Sequence, residues 1–268
     1  MSQTVSTSAR RLVQRLLINM AAAVRRLQLG LMRGHLSEAN THEALHAAWN
    51  EITHQRWKSA VSFAELVVTT DPALADGYRL LGFAQLRRGD ADHARDTYTR
   101  GLQAAPRDTG LWHALGDLEM EMHRPWAAES AYRRLLDIRR DNHEVLRKLA
   151  EAVAAQDRLQ EAVDLLGAAR ALAPDDPLVL TTLGHVNNRR GEFEEAIDVL
   201  GRAVRLWPEI AVAHYELGVS LAAMKRWEAA LEESRAAVRL HPRDERCRKL
   251  LRVIQGNMDH QTSVVSEQ

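Results

Sequence analysis

The chain has 268 residues, of which 46% are hydrophobic and 27% are charged, so it is long enough for one large or two modest domains and has an ordinary composition for a folded protein. Its 36 Lys and Arg residues balance 36 Asp and Glu residues, which gives no bulk field for nucleic acid, and aromatic residues at 5% are too few for an extended base-stacking surface. One cysteine excludes an internal disulfide framework and a cysteine-based metal centre, and the lack of an apolar run as long as a bilayer is thick argues against a membrane-spanning helix.

The segment 1–40 has a charge balance of its own. It carries six arginines and one acidic residue, a net charge of +5, which leaves −5 for the remainder of the chain. Placed on a helix at about 100° per residue, residues 10–33 separate into a basic side and an apolar side. The side chains predicted to meet a membrane or another protein surface are Leu12, Arg15, Leu16, Met20, Arg25, Arg26, Leu27 and Leu31.

Four roles fit this amphipathic N-terminal segment. It could lie on an anionic membrane surface, with arginines towards the headgroups and leucines towards the acyl chains. It could dock its apolar side on the repeat that follows, or in the groove of a neighbouring copy, which would produce self-association. It could be an organellar targeting sequence, since such sequences are rich in Arg and nearly free of acid. It could also cap the apolar end of the domain that follows.

A 34-residue period runs through the rest of the chain. Alanines recur at that interval at Ala60, Ala94, Ala128, Ala162, Ala196 and Ala230. Prolines recur in the same frame at Pro72, Pro106, Pro174, Pro208 and Pro242, with Arg140 in the one exceptional place. Pairs of leucine and a small residue keep the same step at Leu81-Gly82, Leu115-Gly116, Leu149-Ala150, Leu183-Gly184 and Leu217-Gly218. A period of this length predicts stacked pairs of helices.

These columns resemble the tetratricopeptide repeat (TPR) family, in which each repeat of this length forms two antiparallel helices. The resemblance covers residues 41–244 and implies an all-α, right-handed α-solenoid of six helix pairs, in the units 41–74, 75–108, 109–142, 143–176, 177–210 and 211–244. Small residues in the Gly and Ala columns allow helices to approach closely, and proline separates one unit from the next. Residues 245–256 are predicted to form a basic capping helix ending at Gly256, and residues 257–268 a flexible tail.

The resemblance implies a partner-binding groove on the concave face, lined by the first helix of each pair. Carried over by position, the candidate groove residues are Leu45, Trp49, Arg79, Phe83, Arg87, His113, Asp117, Glu121, Arg147, Lys148, Glu151, Thr181, His185, Asn188, Arg189 and Tyr215. Trp49 and Phe83 are large apolar side chains that either bind a partner or pack against the N-terminal segment. Co-chaperone members of the family hold a C-terminal carboxylate in a polar clamp, and that clamp is absent because its positions here are Leu45, Trp49, Leu80, Gly110 and Ala114.

One catalytic pattern occurs at the start of the repeats. His42-Glu43-Ala44-Leu45-His46 matches H-E-x-x-H, and Glu65 follows at the spacing of the third ligand of gluzincin metallopeptidases. The residues around Glu65 do not carry the wider sequence of those enzymes, and no sheet is expected beside the helix. Because the chain has 12 histidines, a chance match is unsurprising. We therefore expect two exposed histidines on a repeat helix, with no catalytic site, no metal and no cofactor.

The sequence as a whole predicts a non-enzymatic scaffold or adaptor that binds proteins or peptides. The N-terminal helix would mediate self-association into a homo-oligomer or recruitment to an anionic membrane surface. A peripheral membrane or organelle-associated assembly factor anchored by that helix is an alternative, and a zinc metallopeptidase-like site at His42 and His46 is the least favoured one. We expect a cytoplasmic location, or a peripheral one on a membrane, and no nucleic-acid partner.

Two features bear on the choice among these roles. A basic lead helix followed by TPR units resembles in layout the bacterial magnetosome-associated TPR scaffold, and that resemblance implies that membrane recruitment and self-assembly can coexist in one chain. The opposite charges of the lead segment and the repeats favour contact between the two, within one molecule or between copies.

Overall fold

The computed structural model describes residues 38–266, which form two compact units that meet in sequence at Met122 and His123. The helices of the N-terminal unit are α1 (Glu38–Thr53), α2 (Trp57–Thr70), α3 (Ala75–Arg87), α4 (Ala91–Ala104) and α5 (Thr109–Glu121). Those of the C-terminal unit are α6 (Pro125–Ile138), α7 (His143–Ala154), α8 (Leu159–Leu172), α9 (Pro177–Arg190), α10 (Phe193–Leu206), α11 (Ala211–Ala223), α12 (Trp227–Leu240) and α13 (Glu245–Ser266). The described residues contain no strand, so this part of the chain is all-α.

The helices pack as consecutive pairs, as the 34-residue period predicts. Within each unit every helix contacts the next one in the chain, and the first helix of a pair also contacts the first helix of the following pair. Each unit is thus a TPR-type stack of helices, and α13 packs against α12 and α11 at the end of the C-terminal unit. Stacking of this kind creates a core that no single pair could bury alone.

The columns of small residues lie where the helices meet. The six alanines of the period, from Ala60 to Ala230, are fully buried. Gly82 lies directly under the Tyr98 ring, and an ideal Cβ added there would come within 2.6 Å of the Tyr98 Cζ atom. These positions are small because the backbone of one helix needs the space for a side chain of the next.

The turns inside the repeats each contain one residue with a positive φ, although most of these residues are not glycine. One residue in each of the six turns of the described region has a positive φ, between 55° and 94°, and these residues are Gln55, Gly89, His123, Asp157, Gly191 and Lys225. They recur at the same period as the alanine column. A side chain in this left-handed region costs about 1 kcal/mol or more relative to glycine. Because four of the six turns tolerate that cost, packing of the helix pair must impose the turn geometry.

The junctions between repeats are stabilised by side-chain caps. Asp108 accepts a hydrogen bond from the Leu111 backbone N–H at 2.7 Å at the start of α5. Asn142 and Asp176 cap α7 and α9 in the same way, one and two repeats later. An Asx cap satisfies a backbone donor that a helix end leaves unpaired. This column therefore marks the start of α5, α7 and α9, whereas Leu74 and Ile210 occupy it without a side-chain cap at α3 and α11.

A second contact at these junctions uses ring donors. Three side chains in one column of the repeat donate to the carbonyl oxygen of the residue six positions earlier, which is the closing proline. The pairs are Tyr78 Oη with Pro72 O at 3.1 Å, Trp112 Nε1 with Pro106 O at 2.9 Å, and His214 Nε2 with Pro208 O at 2.9 Å. The aromatic column thus ties each of these three first helices to the turn before it.

His214 makes one of these contacts sensitive to pH. It is buried, and its Nδ1 lies 2.6 Å from Glu233 Oε2. The hydrogen bond to Glu233 outweighs the effect of burial, and with the Pro208 carbonyl it raises the pKa of His214 above its ordinary value near 6.5. Both ring nitrogens donate only when the imidazole is protonated.

We expect the stabilising effect of His214 to be lost at alkaline pH. Because the folded pKa is raised, its contribution is fully present below about pH 6.5 and disappears as the pH rises through the folded pKa. Urea denaturation at a series of pH values should show a loss of stability above pH 6.5 that is smaller in His214→Gln. Parallel pH profiles for the two proteins would contradict this assignment.

The C-terminal helix corrects one prediction. It was expected to end at Gly256 and to be followed by a flexible tail, but α13 continues to Ser266. Gly256 does not have a left-handed φ, and Asn257 Nδ2 donates to the Val253 carbonyl one turn earlier. A glycine inside a helix costs only about 1 kcal/mol, which a helix docked through the buried Cys247 and Ile254 can tolerate. The predicted tail is thus helical over most of its length.

The predicted N-terminal amphipathic helix, with its proposed contact residues between Leu12 and Leu31, lies outside the described residues. Within residues 38–266, no helix combines the length and the apolar character required to cross a membrane.

Candidate functional site

The N-terminal unit contains an apolar groove with a volume of about 970 Å³. Its walls are α1 and α3, and α4 and α5 contribute one residue each. The lining residues are His42, Leu45, His46, Trp49, Ile52, Asp76, Arg79, Leu80, Phe83, Tyr98 and Ala114. The volume is within the range of ligand-sized sites, and most of the lining side chains are apolar or aromatic.

Two aromatic side chains at the groove are unusually exposed. Trp49 is 58% exposed and Phe83 is 41% exposed. Phe83 packs edge-to-face on Trp57 with ring centroids 6.3 Å apart, and the Arg87 guanidinium lies 5.9 Å from the Trp57 ring centroid. Phe83 is therefore held in place, while Trp49 presents most of its surface to solvent. Exposed apolar side chains grouped in this way mark a surface for binding another chain.

Tyr98 reaches the groove from α4 because Gly82 leaves room for its ring on α3. The ring is buried. Burial raises the pKa of the Tyr98 hydroxyl, and the carboxylates of Asp117 and Glu121 on α5 raise it further. Those two carboxylates therefore lie close to the α5 side of the groove.

The structure brings together half of the groove residues predicted for the N-terminal unit. Leu45, Trp49, Arg79 and Phe83 line the groove, with Arg79 paired to Asp76. The other predicted residues of this unit are not among the lining residues. His113 pairs with Asp117 at 3.3 Å on α5, Glu121 is exposed at the end of that helix, and Arg87 stacks on Trp57.

Sequence reasoning missed several lining residues, of which Leu80 and Ala114 are the most informative. The family resemblance assigns these two positions to a carboxylate clamp, so the apolar side chains found there were the signal for an apolar site. Ile52 and Tyr98 were also missed. Tyr98 belongs to the second helix of its pair, whereas the family resemblance places groove residues on the first helix.

The same columns carry polar groups in the C-terminal unit. Glu216 of α11 is equivalent in the repeat to Leu80 and Ala114, and it is buried. His185 Nδ1 donates to Glu216 Oε1 at 2.8 Å, and Asn188 Nδ2 donates to both Glu216 Oε2 and Glu216 O at 2.9 Å. Hydrogen bonds thus join α9 to α11 at positions equivalent to Leu80 and Phe83, which line the apolar groove of the N-terminal unit.

Other predicted groove residues of this unit also bridge helices. Arg189 of α9 donates to the Ala154 carbonyl at the end of α7, at 2.7 Å. Glu151 of α7 accepts from Arg147 one turn earlier and from Thr182 Oγ1 of α9 at 3.1 Å. These side chains hydrogen-bond α7 to α9, the first helices of two successive pairs. The sequence instead predicts that they line a partner-binding groove.

The remaining three predicted residues have separate surroundings. Thr181 donates to the Pro177 carbonyl of its own helix at 2.6 Å. Tyr215 packs under Arg246 of α13, with the guanidinium 5.8 Å from the ring centroid. Lys148 is half-buried on α7. Partner binding by the residues of the C-terminal unit stays a prediction.

A polar cluster on the second helices of the C-terminal unit is centred on Glu129. Its carboxylate accepts from Gln156 Nε2 at 2.7 Å, Arg158 Nη1 at 2.6 Å and Arg133 Nε at 2.9 Å, and both arginines also reach Glu161. Burial acts to raise the pKa of Glu129, but the three hydrogen bonds outweigh it and hold the pKa below its ordinary value. The cluster joins α6 to α8 and to the turn between α7 and α8.

This cluster predicts a loss of stability in acid. Because the folded pKa of Glu129 is lowered, its contribution is present above the unfolded pKa near 4.5 and is lost as the pH falls through the folded pKa. We expect the free energy of unfolding to fall more steeply below pH 4.5 in the wild type than in Glu129→Gln. Urea denaturation at stepped pH measures both slopes, and equal slopes would exclude Glu129 as the titrating group.

The histidines of the H-E-x-x-H pattern lie on α1. His42 and His46 are exposed and line the groove beside Trp49, and Glu65 is exposed on α2. Among the described side chains, no group of three or more His, Cys, Asp or Glu residues is arranged to hold a metal ion. The position of both histidines at the groove gives them surface on which a partner could pack.

The stacked helix pairs, the buried small-residue columns and the lateral groove define a helical-repeat protein of the solenoid class. Three models of the tetratricopeptide repeat match the sequence, at residues 75–118, 119–185 and 182–245. The chain belongs to the tetratricopeptide repeat family. A comparison with functionally curated proteins gives no significant match.

Solved structures show the same fold at low sequence identity. PilW, a type IV pilus biogenesis factor, has a TM-score of 0.69 and 15% identity, covering 81% of this chain and 100% of PilW. The APC/C hetero-tetramer Cut9–Hcn1 has a TM-score of 0.66 and 16% identity over 79% of this chain, which spans only 42% of the matched chain. MamA has a TM-score of 0.53 and 23% identity, covering 60% of this chain and 95% of MamA.

Proposed function

We propose that the protein is a non-enzymatic scaffold or adaptor that binds a segment of another protein in the groove between α1 and α3. The observation that carries the proposal is the exposure of Trp49 and Phe83 beside the apolar residues Leu45 and Leu80. Membership of a repeat family and the occurrence of a similar fold in the Cut9–Hcn1 hetero-tetramer support a protein partner. PilW, a pilus biogenesis factor of similar fold, is consistent with a role in an assembly.

The groove also defines the chemistry of the partner. Apolar side chains spaced at i, i+3, i+4 and i+7 on a helix would fill a groove of this kind, as in other helix-in-groove complexes. The carboxylates of Asp117 and Glu121 on α5, beside the groove, favour basic residues next to that apolar stripe. We therefore expect a partner segment with an apolar face flanked by Lys or Arg.

A displayed library of random 16-residue peptides, selected on the full chain, tests the proposal. Selected peptides should share an apolar i, i+3/i+4, i+7 pattern and bind in fluorescence anisotropy. Trp49→Ala should weaken them by about tenfold or more, because an exposed tryptophan at the centre of an apolar site is a typical hot spot.

Trp126→Ala is the matched control, because Trp126 is 62% exposed on α6 and lies outside the groove. It should leave the affinity of the selected peptides unchanged. Peptides without a shared pattern, or peptides that lose as much affinity in Trp126→Ala as in Trp49→Ala, would show that the groove is not the binding surface.

The basic N-terminal segment supports a second part of the proposal. We propose that it serves self-association or recruitment to an anionic membrane surface, since residues 10–33 combine an apolar side with an arginine-rich side. Either role would place the groove of the N-terminal unit within a larger assembly at a defined location.

A further inference from the structure

The groove of the N-terminal unit leaves large apolar side chains exposed. Trp49 on α1 and Phe83 on α3 are both substantially exposed, and they border the same groove as Leu45 and Leu80. Burial of such side chains is favourable by about 25 cal/mol for each Å² removed from water. A nearby apolar segment of the same chain would therefore compete with any partner for this surface.

The acidic charge of the repeats is concentrated in the unit that holds the groove. Residues 38–122 contain eight Lys and Arg against 13 Asp and Glu, a net charge of −5, whereas residues 123–268 have a net charge of −1. Residues 1–37 contain six arginines and no acid. The basic segment thus has its electrostatic complement in the N-terminal unit.

Two carboxylates beside the groove repeat this complementarity, whereas Asp76 in its lining is already paired with Arg79. Asp117 and Glu121 lie within electrostatic reach of the Tyr98 hydroxyl, which borders the same space. A helix with its apolar side in the groove would carry its flanking arginines towards these carboxylates.

The connection to α1 places the segment within reach of the groove. Residues 34–37 separate residue 33 from Glu38, the first residue of α1, and four extended residues span about 14 Å. The groove wall on α1 extends from His42 to Ile52, about 15 Å of helix, and Leu16 to Leu27 spans about 17 Å if helical. A short connection of this kind favours antiparallel neighbouring helices.

We propose that residues 10–33 of the chain itself dock as an amphipathic helix in the groove between α1 and α3, so that a partner must displace them to bind. This inference rests on the proposed use of the groove as a docking surface and names its resident occupant. A tether this short gives an effective concentration of about 1 mM. A dissociation constant of about 0.1 mM would then suffice for about 90% occupancy in the same molecule.

Thiol accessibility in the full-length chain tests the proposal. Ala114→Cys places a small reporter in the groove, in a Cys247→Ala background that removes the only native thiol. We expect Cys-specific labelling of that reporter to accelerate about tenfold when Leu16→Glu and Leu27→Glu are added, since an occupancy of about 90% protects about tenfold. Leu16 and Leu27 both lie on the apolar side of the segment.

Two controls separate docking from general effects. Gln14→Glu and Gln28→Glu add the same charge outside the apolar stripe and should leave the reporter protected. Ala155→Cys, an exposed position at the end of α7, should react at one rate in all backgrounds. Equal labelling of the groove reporter with and without Leu16→Glu and Leu27→Glu would overturn the proposal.

Dilution distinguishes docking within one chain from docking between copies. Protection that is constant from about 1 to 100 µM protein supports an intramolecular occupant, because tethering fixes its effective concentration. Protection that grows with concentration would overturn it in favour of a neighbouring copy. An unprotected reporter would leave the peptide-binding result standing. Failure of the proposed function would appear as peptide affinity that is insensitive to Trp49→Ala in the Leu16→Glu, Leu27→Glu background, where the resident segment no longer competes.

Discussion

Gly184→Ala is expected to lower the free energy of unfolding by about 1–3 kcal/mol, although alanine is the better helix former. Gly184 lies on α9, where an added Cβ would come within 2.6 Å of Leu200 Cδ2 and 2.7 Å of Leu200 Cδ1. Leu200 is fully buried on α10, so its side chain can move only by displacing its packed neighbours. The methyl group would therefore push the two helices of the fifth pair apart. Chemical denaturation followed by circular dichroism measures the effect.

Gly167→Ala is the matched control for this prediction. Gly167 also lies inside a helix, α8, but nothing is within 4 Å of an added Cβ. The same substitution should therefore stabilise the protein by about 0.5–1 kcal/mol through helix propensity alone. A stabilising effect at both positions would show that the Gly184 column does not limit the approach of the helices.

The helix pairs could be predicted from the sequence because their determinants are side chains at fixed positions in every repeat. A small residue at Gly184 or Ala196 is needed wherever two backbones approach, so it recurs at the period of the structure. The closing prolines recur for a similar local reason, since proline cannot continue a helix. Features of this kind are visible in a single chain without knowledge of its partners.

The end of the C-terminal helix and the turns inside the repeats are harder to predict, because no side chain at these positions recurs in every repeat. Glycine is typical of a helix end, yet α13 continues past Gly256 because the buried side chains of Cys247 and Ile254 hold the helix in place. The left-handed turn residues Gln55 and Lys225 carry no glycine signal, although they have the same φ as their glycine equivalents to within about 40°. Packing overrides local preference at both kinds of position.

The sequence predicts only part of the candidate groove, because equivalent positions of the repeat line the groove in one unit and form interhelical hydrogen bonds in the other. Phe83 and His185 occupy equivalent positions, but Phe83 lines an apolar groove and His185 donates a hydrogen bond to Glu216 on a neighbouring helix. The family resemblance places both in the partner-binding groove. Only the identity of the neighbouring side chains decides which role a position takes, and those neighbours come from other repeats.

This division predicts that Asn188→Ala destabilises the protein by about 2–3 kcal/mol. Asn188 Nδ2 donates to the side chain and the backbone of Glu216, and its Oδ1 accepts from Ser220 Oγ at 2.6 Å. Glu216 and Ser220 are both buried. Removal of the amide therefore leaves a buried carboxylate and a buried hydroxyl with fewer partners, which costs more than the bonds themselves are worth.

Trp49→Ala should show the opposite pattern, although the sequence places Trp49 and Asn188 in the same predicted groove. Because Trp49 is 58% exposed when residues 1–37 do not cover it, Trp49→Ala in the Leu16→Glu, Leu27→Glu background should change the free energy of unfolding by no more than about 0.5 kcal/mol. Its effect should appear in the affinity for selected peptides instead. Unfolding and peptide binding measured on both variants should show a loss of stability in Asn188→Ala and a loss of peptide affinity in Trp49→Ala. Equal losses of stability in both variants would contradict the assignment of an apolar groove to the N-terminal unit and of interhelical hydrogen bonds to the C-terminal unit.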